Sequence, residues 1–255
     1  MEHAIERVFE QDTIETFDFS YKVFKNCFFV NSTITAKDFG HSVFWNCHFV
    51  SCEFIDCDFQ SAVFQNLGLW YDCTFKSNNF SKTVIGNIKI EKLVFSTNNF
   101  NKTTFDGTDL AEVVFEGKID SSWFYGISSA ESLYAMDFFI IRKFKPLKTP
   151  FIDFGGAELN DVVFSRGLDL SNIKFPAKSH LKMVVNPSLF FNGLLNKCKK
   201  IFPDKESMDF CRQFVEQSLF KMDSHGMPIL VIDLNTFYTS GDVRVQRIVE
   251  FLKAS

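Results

Sequence analysis

The sequence predicts an all-β solenoid with four sides, followed by a module that is mainly helical. An apolar residue recurs at every fifth position from Phe9 to Leu69 and, after one extra residue, from Phe75 to Phe115. Every position in this series is apolar. A period of five fits neither an α-helix, at about 3.6 residues per turn, nor a flat strand, at about 2. It fits a chain that turns a corner after every fifth residue.

A second period, of 20 residues, indicates how the coils stack. The segment VFKNC at residues 23–27 is echoed by VFWNC at residues 43–47, and SNNF at 77–80 recurs as TNNF at 97–100. Residues 20 apart are therefore expected on the same side of successive coils. Coils stacked at the β spacing of about 4.8 Å would bury one continuous column of large apolar side chains.

The residue two positions before each large apolar residue is expected to point inward and to be small. Five cysteines occupy such positions, and they are predicted to be buried, reduced thiols rather than metal ligands, because their spacing is that of the repeat. They are Cys27, Cys47, Cys52, Cys57 and Cys73. Lys22 and Leu67 are larger than the pattern demands, which predicts an irregular first coil and a wider coil near Leu69. Asn78 and Asn98 are expected to point inward and to hydrogen-bond the backbone at a corner.

Several five-residue segments resemble the pentapeptide-repeat proteins. The family pattern is a small residue, then Asp or Asn, then Leu or Phe, then two polar residues. Residues 57–61 (CDFQS), 98–102 (NNFNK) and 108–110 (TDL) match it, and residues 168–172 (LDLSN) match except for a large first residue. This resemblance implies a right-handed quadrilateral β-helix. It does not select a function, because a fold of this kind hosts several activities.

The repeat divides the chain into five expected segments. They are an N-terminal cap at 1–18, the β-helix at 19–116, a partly helical insertion at 117–150, a final coil at 151–176 and a mainly helical C-terminal module at 177–255. The cap is inferred from the helical spacing of Ile5, Val8 and Phe9. The insertion is inferred because the register, if continued, would place Asp137 and Arg142 inward, where an unpaired charge is costly.

The C-terminal module is predicted to contain three helices. The first helix is predicted to begin at Pro187, because proline is favoured at the first position of a helix. A second helix is expected at 205–222 and a last one at 242–253, each with an apolar stripe at helical spacing. Residues 227–232 are apolar and β-like. A homodimer through this module is a further expectation.

Composition argues against most enzymes and against nucleic-acid binders. The net charge is −4, and neither half of the chain is strongly basic, so binding driven by phosphate neutralisation is not expected. The five histidines are scattered, and no glycine-rich phosphate loop occurs. No apolar run approaches the roughly 18 residues of a membrane span. The sequence predicts no catalytic residues, no cofactor, no metal and a cytoplasmic location.

Outward aromatic side chains favour binding of a protein partner. Trp45, Trp70 and Tyr71 follow inward positions of the register and are expected to face out, and exposed tryptophan is enriched in interfaces. The predicted insertion supplies further candidates for contact, Phe138, Arg142, Lys143 and Lys145. The alternative interpretation of the aromatics is packing against the cap, the insertion or the tail.

A cluster of carboxylates supports a second hypothesis. Asp38, Glu53, Asp56 and Asp58 are expected on two neighbouring sides of the second and third coils. The family resemblance implies that such a surface could imitate duplex DNA and occupy the DNA groove of a bacterial type II topoisomerase. The protein would then protect gyrase from a toxin or drug, as a resistance or immunity factor. Lysines interrupt the acidic surface, and a DNA mimic should be more uniformly acidic.

Overall fold

A computed structural model gives the fold of residues 2–126, 151–165, 168, 170, 172–177, 180–185, 187–202, 204–223, 229–234 and 243–254. The chain divides into two compact units, Met1–Ala177 and Lys178–Ser255. The first unit is a parallel β-solenoid, and the second combines a two-stranded sheet with helices. The predicted fold class, a quadrilateral pentapeptide-repeat β-helix with a mainly helical C-terminal module, is confirmed. Within the described residues, no helix is long and apolar enough to cross a membrane.

Successive coils of the solenoid place their strands on four faces, and strands about 20 residues apart pair in parallel. Face 1 contains β1 (Glu2–Ile5), β3 (Lys22–Lys25), β6 (Val43–Trp45), β9 (Val63–Gln65), β12 (Val84–Gly86), β15 (Thr104–Asp106), β17 (Trp123–Tyr125) and β19 (Val163–Ser165). Face 2 contains β2 (Val8–Phe9), β4 (Phe28–Val30), β7 (His48–Val50), β10 (Leu69–Tyr71) and the first parts of β13 (Lys89–Ser96) and β16 (Asp109–Asp120).

Faces 3 and 4 complete each coil. Face 3 contains α1 (Gln11–Thr16), β5 (Thr33–Thr35), β8 (Glu53–Ile55), β11 (Thr74–Lys76), the second part of β13, the middle of β16, the start of β18 (Ile152–Asn160) and β20 (Ile173–Lys174). Face 4 is joined by single β-bridges along Asp38, Asp58, Asn79 and Asn99, and by β14 (Phe100–Asn101) with the ends of β16 and β18. Long strands such as β13 and β16 run through a corner without interruption.

The large apolar residues of the five-residue series form the core, as the sequence predicted. On face 1 the rings of Phe24 and Phe44 stack at 4.8 Å between centroids, and those of Phe44 and Phe64 at 4.5 Å. On face 3 the rings of Phe54 and Phe75 stack at 4.6 Å with planes 2° apart. These separations are close to the spacing of paired strands, about 4.8 Å, because parallel in-register pairing places equivalent side chains directly over one another.

Small inward side chains satisfy the backbone of the preceding coil. The Ser42 hydroxyl donates to the carbonyl oxygen of Phe19 at 2.7 Å. Asn78 Nδ2 donates to the carbonyl oxygen of Phe54 at 3.0 Å, and the backbone N–H of Asn78 donates to Asn98 Oδ1 at 2.8 Å. All three polar side chains are buried. The expectation that these asparagines serve the corner backbone agrees with the structure.

The corners depend on residues in the left-handed region of backbone space. Among the residues that the structure describes, φ is positive in 22 non-glycine residues, with values from 48° to 70°. Asn26 and Asn46 occupy the corner between faces 1 and 2, and Asn46 Nδ2 donates to Asn26 Oδ1 at 2.9 Å. Asparagine and aspartate tolerate this region better than other residues with a β-carbon. The polar residues of the repeat therefore have a conformational role as well as a solvating one.

The prediction for the coil at Trp70 was wrong. Trp70, not Leu69, points inward, with 1% of its surface exposed, and its ring stacks on Phe49 at 5.4 Å. The extra residue lies before the strand, where Leu67 adopts φ 66° and is exposed. Gly68 takes the inward position, where a Cβ would lie 2.6 Å from a backbone oxygen of the coil below. Burial of the larger indole ring explains why the register shifts here.

The predicted N-terminal cap was also wrong in its secondary structure. Glu2–Ile5 form β1 and Val8–Phe9 form β2, which pair with β3 and β4. Ile5 and Val8 therefore lie on strands and face outward, and they do not form the apolar side of a helix. Ala4 is buried at the position five before Phe9, so the register begins earlier than the first Phe. Phe17 packs edge-on against Phe9 at 5.2 Å.

The solenoid also extends beyond the predicted boundary at residue 116. β16 continues to Asp120 and β17 follows, and Ile119 and Phe124 are buried in the core. The phenyl rings of Phe105 and Phe124 stack at 4.6 Å, so residues 117–126 form part of a regular coil. The rest of the predicted insertion, residues 127–150, lies outside the described residues.

The C-terminal unit has its own core. It contains β21 (Leu181–Val185), α2 (Pro187–Ile201), α3 (Lys205–Asp223), β22 (Ile229–Asp233) and α4 (Val243–Ala254). The two strands pair antiparallel. The apolar stripes of the three helices converge on one buried cluster that includes Phe191, Leu194, Cys198, Cys211 and Ile248.

We expect Phe54→Ala to cost about 3–5 kcal/mol of unfolding free energy, because a fully buried ring would be replaced by a cavity. Urea unfolding followed by circular dichroism measures this change. The matched control is Glu53→Ala, one residue away on the same strand and facing out. A loss below about 1 kcal/mol in Phe54→Ala would contradict the stacked arrangement of the core.

Candidate functional site

The outward residues of face 1 form an apolar column. Val23, Val43, Val63 and Val84 occupy equivalent positions on four successive strands, each in register with the next. We call this set the valine column. Trp45 lies two residues after Val43 on the same strand, and 42% of its surface is exposed. The predicted outward orientation of Trp45 agrees with the structure.

Face 2 continues the apolar character around the corner. The ring of Phe28 stacks on the imidazole of His48 at 4.7 Å, with planes 12° apart, and Leu69 pairs in register with His48. Val50 and Tyr71 form the neighbouring outward column, and Tyr71 is half-buried. The Asn26–Asn46 corner therefore separates two faces that both present apolar side chains in the first four coils.

We call the outward apolar side chains of these two faces the apolar surface; Phe28, Trp45 and Val84 are exposed and the others are half-buried. It consists of the valine column, Trp45, Phe28, Val50, Leu69 and Tyr71. Trp45 is in register with Lys25 below it and Gln65 above it. Lys92 Nζ donates to the Tyr71 hydroxyl at 3.1 Å and lies 5.3 Å from the centre of the Tyr71 ring. The apolar surface thus has polar and basic groups around its aromatic side chains, as interfaces often do.

Trp70 was predicted to belong to this surface and does not. Its indole packs between Phe49 and Phe75, with its plane at right angles to the ring of Phe64. A fully buried side chain of the core cannot contact a partner. The other predicted contact residues, Phe138, Arg142, Lys143 and Lys145, lie outside the described residues.

The predicted carboxylates lie on the opposite side of the coil. Asp38 and Asp58 are in register on face 4, while Glu53 lies on face 3 and Asp56 at the corner between them. Asp38 Oδ1 accepts the backbone N–H of Gly40 at 2.7 Å, and Asp58 Oδ1 accepts the backbone N–H of Gln60 in the same way. These bonds give both carboxylates a structural role in the turn of the chain.

The acidic column changes character after Asp58. The next residues in register are Asn79 and Asn99. Asn79 Nδ2 donates to Asp58 Oδ1 at 3.0 Å, and Asn99 Nδ2 donates to Asn79 Oδ1 at 3.0 Å. An amide supplies the donors that a stacked carboxylate lacks, so the ladder is hydrogen-bonded only from the third coil onward. The stacked carboxylates Asp38 and Asp58 thus give way to neutral amides in the coils that follow.

Among the described residues, few side chains are arranged for catalysis. No group of three or more potential metal ligands occurs among them. The seven cysteines are free and buried, and burial raises the pKa of the Cys57 thiol to about 11. Cys57 is therefore a poor nucleophile, because the thiolate is the reactive form. The hydrogen bond from Cys47 lowers the pKa of Cys27 to about 7, but the Cys27 side chain is buried in the core.

Sequence analysis overlooked the valine column and the Phe28–His48 stack. Both were present in the 20-residue repeat, which places Val23, Val43 and Val63 at one position and Phe28 with His48 at another. The outward residue before each core residue carries this signal. Sequence analysis considered outward aromatic residues singly, and so missed the columns that they form with their neighbours.

The repeat and the geometry together identify the class of protein. The chain has large apolar residues five apart at the centre of each face, small residues two before them, and parallel coils that stack in register. This is the architecture of the pentapeptide-repeat proteins, and the chain is a pentapeptide-repeat β-helix.

Known structures with a similar fold have low sequence identity to this chain. QnrB1, a plasmid-mediated fluoroquinolone resistance protein, is 13% identical over 70% of this chain and 80% of its own, with a TM-score of 0.32. HetL, involved in heterocyst differentiation regulation in the cyanobacterium Nostoc, is 8% identical over 68% and 81%, with a TM-score of 0.39. Rfr23 from the cyanobacterium Cyanothece is 8% identical over 56% and 84%, with a TM-score of 0.16.

No family model and no curated protein matches the chain. At such identities and TM-scores the similarity carries no argument about activity or partner. The function must therefore be inferred from the surfaces of this molecule.

The stacked histidine should make stability depend on pH. Burial lowers the pKa of His48 from its usual 6.5, so the unfolded chain binds a proton more readily than the folded one. The contribution of neutral His48 is complete above pH 6.5 and is lost as the pH falls from there through the lowered folded-state pKa.

We expect His48→Phe to weaken the fall in unfolding free energy below pH 6.5. Urea unfolding above and below that pH measures the effect. Thr35→Val, on face 3, retains His48 and should keep the pH dependence of the unmodified protein. If His48→Phe and Thr35→Val show the same pH dependence, His48 does not supply it.

Proposed function

We propose that this protein is a non-enzymatic scaffold that binds a protein partner through the apolar surface of faces 1 and 2. The single observation behind this proposal is the alignment of a column of outward, half-buried to exposed valines with the exposed side chains of Trp45 and Phe28 on adjacent faces of one β-helix. Large apolar patches on a protein surface commonly mark interaction sites. Tryptophan is among the residues that contribute most to binding when a partner covers it.

The β-helix would present this surface with little cost of ordering. Each residue of the valine column is fixed by two neighbouring strands, and the side chains beneath it belong to the stacked core. Association is opposed by the ordering of side chains and loops at an interface. β-branched valines have few rotamers. Covering this column therefore costs less side-chain entropy than covering a surface of long polar side chains.

The chemistry of the surface suggests the kind of partner. Its centre is aliphatic and aromatic, and its near edge carries Lys25 in register with Trp45. A partner with an apolar patch flanked by acidic groups would complement it. We propose that the protein binds this partner in the cytoplasm and without a cofactor.

Site-specific crosslinking in the native host tests the proposal. A photoreactive amino acid at Trp45 should form a discrete adduct with one protein, whereas the same group at Thr74 on face 3 should not. The second change Val63→Asp should reduce the Trp45 adduct about tenfold or more, because it buries a charge in the interface. Equal adducts from Trp45 and Thr74, or an adduct unaffected by Val63→Asp, would rule out this surface.

A second candidate function is protection of a bacterial type II topoisomerase by imitation of DNA. The observation that favours it is the register of Asp38 and Asp58 along face 4, with Glu53 on face 3 and Asp56 at the corner beside them. Its weakness is the replacement of carboxylates by Asn79 and Asn99 further along. This second candidate includes a homodimer through the C-terminal module.

Gyrase assays separate this candidate from the first. If the carboxylates replace phosphates, the purified protein should reduce drug-induced DNA cleavage by gyrase, and the effect should weaken with salt. The variant with Asp38→Asn, Glu53→Gln, Asp56→Asn and Asp58→Asn should lose it. Trp45→Ala, on the other side of the coil, is the matched control and should keep it. No effect of the unmodified protein at any salt concentration would exclude DNA imitation.

A further inference from the structure

We infer that the C-terminal unit binds a small organic oxyanion in a cleft between α2 and α3. The cleft has a volume of about 290 Å³ and is lined by Asn192, Leu195, Asn196, Lys199, Met208 and Arg212. This is close to the lower limit of small-molecule sites, about 300 Å³. The inference is independent of the proposed partner-binding surface, because the lining residues all belong to the second unit.

Helical spacing explains why these groups meet. Asn192, Asn196 and Lys199 recur at intervals of four and three residues, so they share one side of α2. Met208 and Arg212 are four residues apart on α3 and share one side of it. A different stripe of α2 is buried in the core of the unit, which leaves the polar stripe to form one wall of the cleft.

The polar groups of the cleft are rich in hydrogen-bond donors. Lys199 and Arg212 are cationic, and the amides of Asn192 and Asn196 each add an N–H₂ group. Among the described residues, no hydrogen bond or ion pair engages the side chains of Asn192, Asn196 or Lys199. These three exposed side chains are therefore available to a ligand.

The charges around the cleft favour an anion. α2 carries three lysines and no acidic residue. On α3, Asp209 Oδ1 lies 3.5 Å from Arg212 Nη1, but both side chains are about half exposed. An exposed pair of this kind contributes little, so a ligand can compete for the guanidinium. The arginine fork matches the paired oxygens of a carboxylate or phosphate.

The apolar residues of the cleft indicate that the anion is attached to an organic group. Leu195 and Met208 are both partly buried and pack against the core of the unit. Methionine adapts its shape to irregular ligands. The ligand class is therefore a phosphate monoester or carboxylate with a short apolar body, rather than an inorganic ion alone.

Titration of the full chain with phenyl phosphate, benzoate and inorganic phosphate tests this inference. Chemical-shift changes in isotope-labelled protein, or calorimetry, should show saturable binding of phenyl phosphate or benzoate that weakens with salt. Comparison of these two probes distinguishes a phosphate from a carboxylate site. Inorganic phosphate should bind more weakly than phenyl phosphate if Leu195 and Met208 contact the apolar body.

Lys199→Gln and Arg212→Gln should each weaken binding of the preferred probe about tenfold, as loss of a charged hydrogen bond does. Lys200→Gln, on the neighbouring position of α2, removes the same charge outside the cleft and should leave affinity within about twofold. All three residues are exposed, so circular dichroism should show folded variants. Absence of saturable binding, or an equal loss in Lys200→Gln, would overturn the inference.

Discussion

Parallel in-register pairing of coils is the constraint on which the rest of this structure depends. It places each side chain directly above the equivalent one of the coil below, so Phe24, Phe44 and Phe64 form one stack. The same constraint acts on polar residues, and the Asn79 and Asn99 amides form a hydrogen-bonded ladder. An inward position thus becomes a core column, and an outward position becomes a surface column.

This constraint also explains why the surfaces of the solenoid differ in character. A short repeated motif places one residue type at equivalent positions of several successive coils, as with valine on face 1 and aspartate or asparagine on face 4. The proposed partner site and the acidic column are therefore properties of the repeat rather than of isolated residues. The oxyanion cleft arises differently, from the spacing of Asn196 and Lys199 on a helix of the second unit.

The positions that sequence analysis predicted wrongly are those where the repeat is irregular. The extra residue between Phe64 and Phe75 allowed either Leu69 or Trp70 to point inward, and periodicity alone did not separate them. Burial of the larger indole ring favours Trp70, and Gly68 permits this register because a Cβ there would lie 2.6 Å from the Cys47 carbonyl oxygen. Likewise, Ile5 and Val8 have helical spacing, yet pairing with β3 and β4 favoured strands.

The sequence by itself determined the four-sided β-helix and most of its inward columns, because a period of five with small residues at fixed offsets is compatible with few chain paths. It also determined the helical nature of the C-terminal unit, because the apolar residues there recur at helical spacing. Only the tertiary structure decided that Trp70 is core and that Trp45 and Phe28 are exposed on adjacent faces beside the valine column. The physical reason is that periodicity specifies which side a residue faces within its coil. What lies beside it on the next face or helix depends on the corners and on packing, which involve residues distant in the chain.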